Sequence, residues 1–526
     1  MMKTVYSVAR IGLAGTLIEV EVDLSAGLPS CTIVGLPDTA VQEAKERVRA
    51  ALKNVGCRFA PMRITVNLAP ASIKKEGALY DLAIAVGIFA VHHPEIQIPK
   101  NYLFLGELAL DGTIRSIQGA IVLANIAKRS RITHLILPEK DAHESALISG
   151  LTLYPIRHLK QVLDFLTGNY TLSSFSSPTT STNTLKQVTP QTNFDDIRGH
   201  VFAKRALTLA AAGGHNILLT GPPGAGKTLL AQSVPAILPP MSEKEIVEVT
   251  ELYSIAGLLT ESQPIITTRP FRAPHHTASY ASIVGGGASP KPGEISLAHR
   301  GVLFLDELPE FRRSVLESLR EPLESYSIRL SRIRNSLVFP ACMMLIAAQN
   351  PCPCGFRFDT QVDCTCSPQE ITRYEKKLSG PFLDRIDMHI EIPRLTPTEF
   401  FHSTQKNTFT PTLREQVATA RIIQQNRLSS IGCFTNSEIP SKNLRNFLSL
   451  NNQCQNILQK AMTHYSLSPR SIVRIMKVAR TIADIEQKSE VHAQHLQEAL
   501  QYRVREVAEK RMGLSPNALS LVKNTL

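Results

Sequence analysis

Apolar and polar positions alternate along Thr16–Val22, the two-residue period of a half-buried strand. Ala40–Asn54 switches to helical spacing, with Val41, Ala44, Val48 and Leu52 on one face. Arg63–Leu68 predicts another strand and Leu79–Val91 another helix. The most apolar window, Leu82–Val91, is long enough for a buried helix and too short to span a bilayer. Alternating strands and helices thus fill residues 1–168. Thr171–Thr182 then reads TLSSFSSPTTST, nine Ser or Thr in twelve. So little apolar surface predicts a linker, set at 169–193, with a surface loop inside one domain as the alternative. Over 194–410 the runs Asn216–Thr220 and Val302–Leu305 are short and apolar, the pattern of strands buried on both faces. From Pro411 helical periodicity takes over, predicting a helical domain over 411–526. Ser468-Pro469 is a helix start, Ser as N-cap and Pro in the first turn. The helix after it carries Ile475, Val478, Ala479 and Ile482 on one face and Arg470, Arg474 and Lys477 on another. No repeat of fixed period is visible.

Composition narrows the picture modestly. At 526 residues and 43% hydrophobic, the chain affords several cores. Lys and Arg exceed Asp and Glu by 57 to 45, a formal charge of +12 that suits a polyanion partner without proving one. No run approaches 18 uncharged apolar residues, so no membrane partner is expected. The start, MMKTVYSVAR, lacks the apolar block of an export signal, and nine cysteines are too few for a disulfide scaffold. A cytoplasmic protein with reduced thiols is the expectation.

The clearest chemistry is Gly221-Pro222-Pro223-Gly224-Ala225-Gly226-Lys227-Thr228, which matches the phosphate-binding pattern G-x-x-x-x-G-K-[ST]. A strand precedes it and a helix opens after it, as the chemistry needs. The loop's N–H groups and the helix N-terminus face phosphate oxygens, Lys227 meets the β- and γ-phosphates, and Thr228 ligates Mg²⁺. The run Val302-Leu-Phe-Leu-Asp306-Glu307 supplies the second carboxylate site: Asp306 for Mg²⁺, Glu307 to polarise the attacking water. ATP and Mg²⁺ are the cofactors this implies.

Phe194-Asp-Asp-Ile-Arg-Gly199, the phosphate loop and the Asp-Glu pair together resemble an AAA+ ATPase. The resemblance implies that Asn350, ending Met344-Leu-Ile-Ala-Ala-Gln-Asn350, is the sensor-1 residue. It implies that Arg385, in Pro381-Phe-Leu-Asp-Arg385-Ile-Asp387, reaches the neighbouring subunit's ATP. Arg470 of Ser468-Pro-Arg470 resembles the sensor-2 arginine, with Arg474 competing. More specifically, Arg272-Ala-Pro-His-His-Thr-Ala-Ser279, Pro292-Gly-Glu-Ile-Ser-Leu-Ala-His299, Asn350-Pro-Cys-Pro-Cys-Gly355 and Val478-Ala-Arg-Thr-Ile-Ala-Asp484 resemble the magnesium-chelatase-like ComM/YifB family. The likeness covers nearly the whole chain, although magnesium chelatase ATPase subunits are expected to share only the core. It implies a homo-hexameric ATPase that translocates single-stranded and branched DNA, with branch migration during natural transformation as its role.

Ser327–Asn335 followed by Leu337-Val-Phe predicts a hairpin, placed where related hexameric helicases carry a pore element. Arg332 and Arg334 near its tip suit phosphate contacts; pairing with Glu321 and Glu324 is the alternative. Pro270–Arg300, with Gly285-Gly-Gly287, resembles the helix-2 insertion of this clade. His275 and His276 are adjacent and read as loop packing rather than as metal ligands. Cys352-x-Cys354 and Cys364-x-Cys366 stand nine residues apart and could close a zinc shell, although C-x-C departs from the usual C-x₂-C; four reduced thiols are the alternative.

Residues 1–168 resemble the ribosomal-S5-like fold of Lon-type protease domains through Lys74-Lys-Glu-Gly77 with Asp81, and through Gly106-Glu-Leu-Ala-Leu-Asp-Gly112 on to Gly119. Ala78-Leu-Tyr80 stands where an active protease carries its serine, and Ala120-Ile-Val122 where it carries its lysine. A Ser–Lys dyad needs both, so a non-proteolytic domain is expected. The fold expected is therefore α/β multidomain: a Lon-like α+β domain, an AAA+ P-loop core and a helical lid. The competing functions are a chelatase-type motor remodelling a protein partner, an ATP-dependent protease, and a nucleotide-gated scaffold.

Overall fold

The computed structural model describes residues 2–57, 62–175, 192–287, 290–331, 336–359, 361–396 and 409–512. Its first unit is built on seven strands: β1 (Met2–Ile11), β2 (Ala14–Ser25), β3 (Ser30–Val34), β4 (Arg63–Ala69), β5 (Tyr102–Phe104), β6 (His134–Pro138) and β7 (Thr152–Ile156). They lie in the order β3-β4-β2-β1-β5-β6-β7, with β2 antiparallel to β1 and β4 and the remaining pairs parallel. Strand alternation divides the core. Val5 and Ala9 of β1 join α1 (Thr39–Asn54) and α2 (Asp81–His92), whereas Val8 joins α3 (Ala120–Arg129). The α1 start predicted at Ala40 is fixed by Asp38, whose side chain accepts from Val41 N at 2.8 Å. Helix α2 is buried almost all round, as its unbroken apolar run requires.

The first unit runs past the boundary drawn at 168. Leu172 is 7% exposed within the first core, and Phe175 bridges to Leu153 and meets the His143 ring edge-on. These are the two large apolar residues of the Ser/Thr-rich run, and each finds a site on the first unit. Residues 176–191 lie outside the described residues.

The second unit carries α4 (Val201–Gly213), β8 (Ile217–Thr220), α5 (Lys227–Ser233), α6 (Glu243–Ala256), β9 (Phe271–Arg272), β10 (Val302–Leu305), β11 (Ser327–Ser331), β12 (Ser336–Pro340), β13 (Met344–Gln349) and β14 (Met388–Glu391). Its sheet is parallel throughout, in the order β9-β10-β13-β8-β14. The register pairs Thr220 with Gln349 and Leu305 with Ala347. The residues that follow β8, β10 and β13 therefore emerge along one carboxyl edge, where open α/β sheets bind ligands. Strands β11 and β12 form the predicted antiparallel hairpin. Its tip, with Arg332 and Arg334, lies outside the described residues.

The third unit contains α7 (Phe409–Leu428), the helix Asn452–Tyr465, α8 (Pro469–Ile485) and α9 (Ala493–Met512). Leu413, Val417 and Ala420 of α7 and Ile475, Val478 and Ile482 of α8 share one apolar cluster with Ala206 and Ala210 of α4. The lid is thus packed onto the core. Asp195, from the segment ahead of the phosphate loop, caps α7 by accepting from Phe409 N at 3.0 Å.

The first unit also docks on the core. Ile255 of α6 inserts among Ile117, Ala120, Ile121 and Ala124, and Gln118 donates to the Ile255 carbonyl at 2.8 Å. Asn125 donates to Glu251 at 2.7 Å. The turn after β1 meets the hairpin, since a Cβ on Gly12 would stand 3.2 Å from Leu337 Cδ2. Among the described residues no helix is long and apolar enough to cross a membrane.

Candidate nucleotide site

The phosphate loop leaves β8 at Gly221, which runs so close to the neighbouring chain that a Cβ would fall 2.3 Å from the Ile392 carbonyl oxygen. Gly224 takes φ of 76° and has open space where a Cβ would stand. That open, glycine-lined backbone fits phosphate oxygens. Lys227 opens α5 and is 9% exposed. Its ammonium donates to Gly221 O at 2.6 Å, Pro222 O at 2.9 Å and Asn350 Oδ1 at 3.0 Å. Burial holds the Lys227 ammonium below its ordinary pKa, with Asp306 and Glu307 pulling the other way. The next hydroxyl, Thr228 Oγ1, donates to Asp306 Oδ2 at 2.6 Å. This hydroxyl–carboxylate pair fits a hard divalent cation such as Mg²⁺. The predicted residues Lys227, Thr228, Asp306 and Asn350 therefore meet, and the phosphate loop fits a nucleotide.

Glu307 sits beside Asp306 with φ of 51°, uncommon for a residue with a side chain. Its Oε2 lies 3.2 Å from His276 Nδ1. His276 packs on His275 and Phe311, as a loop-packing residue would, and it also reaches Glu307. It follows β9, the strand next to β10, so the sheet brings it to the Asp-Glu pair. The sequence signal was its position just beyond a strand end.

The four cysteines of the next loop converge. Their sulfurs all lie within 4.8 Å of one another, with separations of 3.4 Å for Cys352–Cys354, 3.5 Å for Cys354–Cys364 and 3.7 Å for Cys352–Cys364. Cys366 Sγ accepts from Cys354 N at 3.3 Å. Sulfurs bound tetrahedrally at the usual zinc distance would stand about 3.8 Å apart, so the thiols fit zinc. All four are free thiols in this structure. The loop also touches the phosphate loop: a Cβ on Gly355 would fall 2.5 Å from Pro223 Cδ.

The arginines behave differently from one another. Arg385 is 8% exposed, donates to the Pro381 carbonyl and pairs with Glu324 at 3.0 Å. Arg470 pairs with Glu324 at 2.8 Å, its side chain 48% exposed. Arg474 is taken up inside, paired with Asp387. Burial alone would raise the Asp387 carboxyl, but Arg474 and His215 hold it well below the usual carboxylate range. This leaves Arg470 the freer of the two sensor-2 candidates. Glu324 serves Arg385 and Arg470; the alternative pairing of Arg332 and Arg334 with Glu321 and Glu324 falls on arginines outside the described residues.

In the first unit the segment that stands where an active protease carries its lysine is buried. Ala120, Ile121 and Val122 are fully buried, Tyr80 is 1% exposed, and Asp81 pairs with Arg47 at 2.7 Å.

Comparison with known proteins shows the family. The family model "Magnesium chelatase, subunit ChlI" matches residues 193–400, and its C-terminal counterpart matches 408–503. "Competence protein ComM" of Haemophilus influenzae is 42% identical over 502 residues, 95% of this chain and 97% of the relative. The chain belongs to the magnesium-chelatase-like ComM/YifB family of AAA+ ATPases. YifB of Escherichia coli, an uncharacterised relative, is 42% identical over 507 residues, with 95% and 97% covered. A family model described as "Subunit ChlI of Mg-chelatase" falls on residues 20–141. The expectation that the chelatase likeness ends at the core is thereby corrected, because a family model bearing that name lies within the first unit. Shorter likenesses are to Lon protease 2 of Bacillus subtilis, 26% identical over 168 residues, and DNA repair protein RadA of Aquifex aeolicus, 29% over 103 residues.

Proposed function

We propose that this ComM/YifB member is an ATP-driven ring motor that binds and translocates DNA, performing branch migration when transforming DNA is integrated. What carries the reading is the hydrogen-bonded chain Lys227–Asn350 and Thr228–Asp306, with Glu307 beside it. The names of two relatives, a competence protein and a DNA repair protein, support DNA as the partner.

On this reading Lys227 exchanges Asn350 and the loop carbonyls for β- and γ-phosphate oxygens, which restores the anionic partner its burial calls for. Gly221–Thr228 cradle the phosphates. Thr228 and Asp306 hold Mg²⁺, which supplies neutralisation of phosphate charge when bound. Glu307 leaves His276 and accepts a proton from the attacking water. Asn350 orients that water from the γ-phosphate side. Arg385 and Arg470 meet at one carboxylate; on this reading Arg385 reaches the ATP of the next subunit in a homo-hexamer, and Arg470 is the sensor-2 arginine of the lid. Cys352, Cys354, Cys364 and Cys366 would hold zinc, which would supply a brace for the loop after Asn350, where Gly355 lies against Pro223. Arg332 and Arg334 grip single-stranded and branched DNA through its phosphates. The site of action is the cytoplasm.

The test is steady-state ATP hydrolysis with and without a four-way DNA junction, at two salt concentrations. Turnover is expected to rise with the junction and to lose that rise as salt increases. A chelatase-type motor acting on a protein partner predicts turnover indifferent to DNA.

A further inference from the structure

Glu324 stands at a crossing that the nucleotide chemistry does not by itself require. One of its oxygens, Oε1, receives Arg385 Nη2 at 3.0 Å and Arg470 Nη2 at 2.8 Å. The two arginines come from different units, one from the loop before β14 and one from the first turn of α8. Two cations so close repel each other, and a single carboxylate holds them together. Arg385 is drawn inward by this contact. It is 8% exposed, and its Nε has no partner among the described residues. An arginine held this way cannot extend to a second subunit until Glu324 lets go.

Glu324 also belongs to the root of the hairpin. It lies in the short helix Pro322–Ser325, and β11 begins at Ser327. Between them Tyr326 takes φ of 54° and donates its hydroxyl to the lid carbonyl of Ser437 at 2.8 Å. Any shift of the carboxylate is therefore felt at a turn joined directly to the hairpin and to the lid.

We propose that Glu324 is a positioning residue that stores Arg385 and Arg470 on one carboxylate and yields both to triphosphate, Arg385 to that of a neighbouring subunit, tying their release to the hairpin root. A triphosphate carries more negative charge than one carboxylate and offers bidentate oxygens, so it outcompetes Glu324 once the interface closes. DNA on the hairpin shifts the same root and lowers the cost of release. This rests on the trans role given above to Arg385 and on the sensor-2 role given to Arg470.

The experiment compares Glu324→Gln with the parent in full-length protein, reading kcat and KM for ATP with and without junction DNA. The amide keeps shape and loses charge. Turnover without DNA is expected to rise roughly 3- to 10-fold, the effect of weakening a charge-assisted hydrogen bond, with KM changed less than about twofold. Stimulation by DNA should shrink towards unity. Glu324→Asp, which keeps the charge on a shorter arm, should restore much of the DNA dependence. If Glu324→Gln keeps the parent's basal rate and DNA stimulation, or folds and assembles yet loses turnover, the storage role is overturned. Arg385→Ala in the same assay separates the two ideas. Full turnover by Arg385→Ala removes the trans reading itself, whereas a dead Arg385→Ala beside an unchanged Glu324→Gln removes only the storage role.

Discussion

Two buried lysines separate the working half of this chain from its quiet half. Lys227 in the core is 9% exposed and has three acceptors around its ammonium, two carbonyls and Asn350, beside a glycine backbone with open space. Lys75 in the first unit is fully buried and donates to the Pro70 carbonyl. Around Lys75 the neighbours are committed: Tyr80 is buried, Asp81 is occupied by Arg47, and α3 begins with Ala, Ile and Val. A buried cation is thus no sign of chemistry. What marks the first lysine is that its partners can be exchanged for a ligand and that carboxylates stand within reach of the same space.

The largest effect expected from this contrast is at Lys227. Lys227→Ala should cut ATP turnover by about 100-fold or more, the usual consequence of removing a charge that meets the transition state, and weaken nucleotide binding. Glu307→Gln should stop turnover to a similar degree yet keep ATP bound in an equilibrium binding assay. Lys75→Met should leave turnover within about twofold of the parent and show itself in thermal stability instead. Equal losses from both lysine changes would break the distinction.

A smaller effect is expected at the thiols. Protein purified without added metal should contain one zinc per chain by elemental analysis, and Cys364→Ser should lose it. Turnover should then fall about 10-fold, because the Gly355 loop no longer braces Pro223. A metal-free protein with full turnover would sever the loop from the site.

The smallest effect concerns the joint between the two halves. Glu144 is held near the start of α3, accepting from Ile121 N at 3.4 Å. Burial pushes its carboxyl up from 4.5 to about 7, with the Ser254 hydroxyl partly offsetting this. A raised acid stabilises the fold fully below its unfolded pKa and loses that contribution as pH rises through the folded value, here between 4.5 and about 7. The melting temperature should therefore fall by a few degrees from pH 5 to pH 8. The fall should be smaller in Glu144→Gln; an identical pH profile in both would remove Glu144 from the account.

The same contrast explains what the sequence disclosed. The phosphate loop and the Asp-Glu pair are local patterns set by adjacent residues, and a parallel sheet brings their ends to one edge whatever fills the rest. Asn350 was legible through the AAA+ resemblance, and it ends a strand of that sheet. The thiols were legible by density, but their convergence and the contact of Gly355 with Pro223 needed coordinates. His276 went unread because its partner is on another strand. Glu324 holds Arg385 and Arg470, which arrive from distant segments and which no local pattern pairs with it. Leu172 and Phe175 were hidden by the Ser and Thr around them; two apolar side chains sufficed to anchor that stretch to the first unit. The docking of α6 on α3 rests on Ile255, Gln118 and Asn125, none of which stands out along the chain.

The central claim is that the site is completed by a neighbour, and mixing subunits tests it most directly. Lys227→Ala lacks the phosphate lysine and keeps Arg385; Arg385→Ala lacks the arginine and keeps the phosphate loop. Each alone should be inactive in ATP hydrolysis. An equal mixture allowed to exchange subunits should recover up to about a quarter of the parent rate, the share of ring interfaces that join an intact loop to an intact arginine. A mixture as inactive as its parts, or Arg385→Ala turning over alone at the parent rate, would contradict the account.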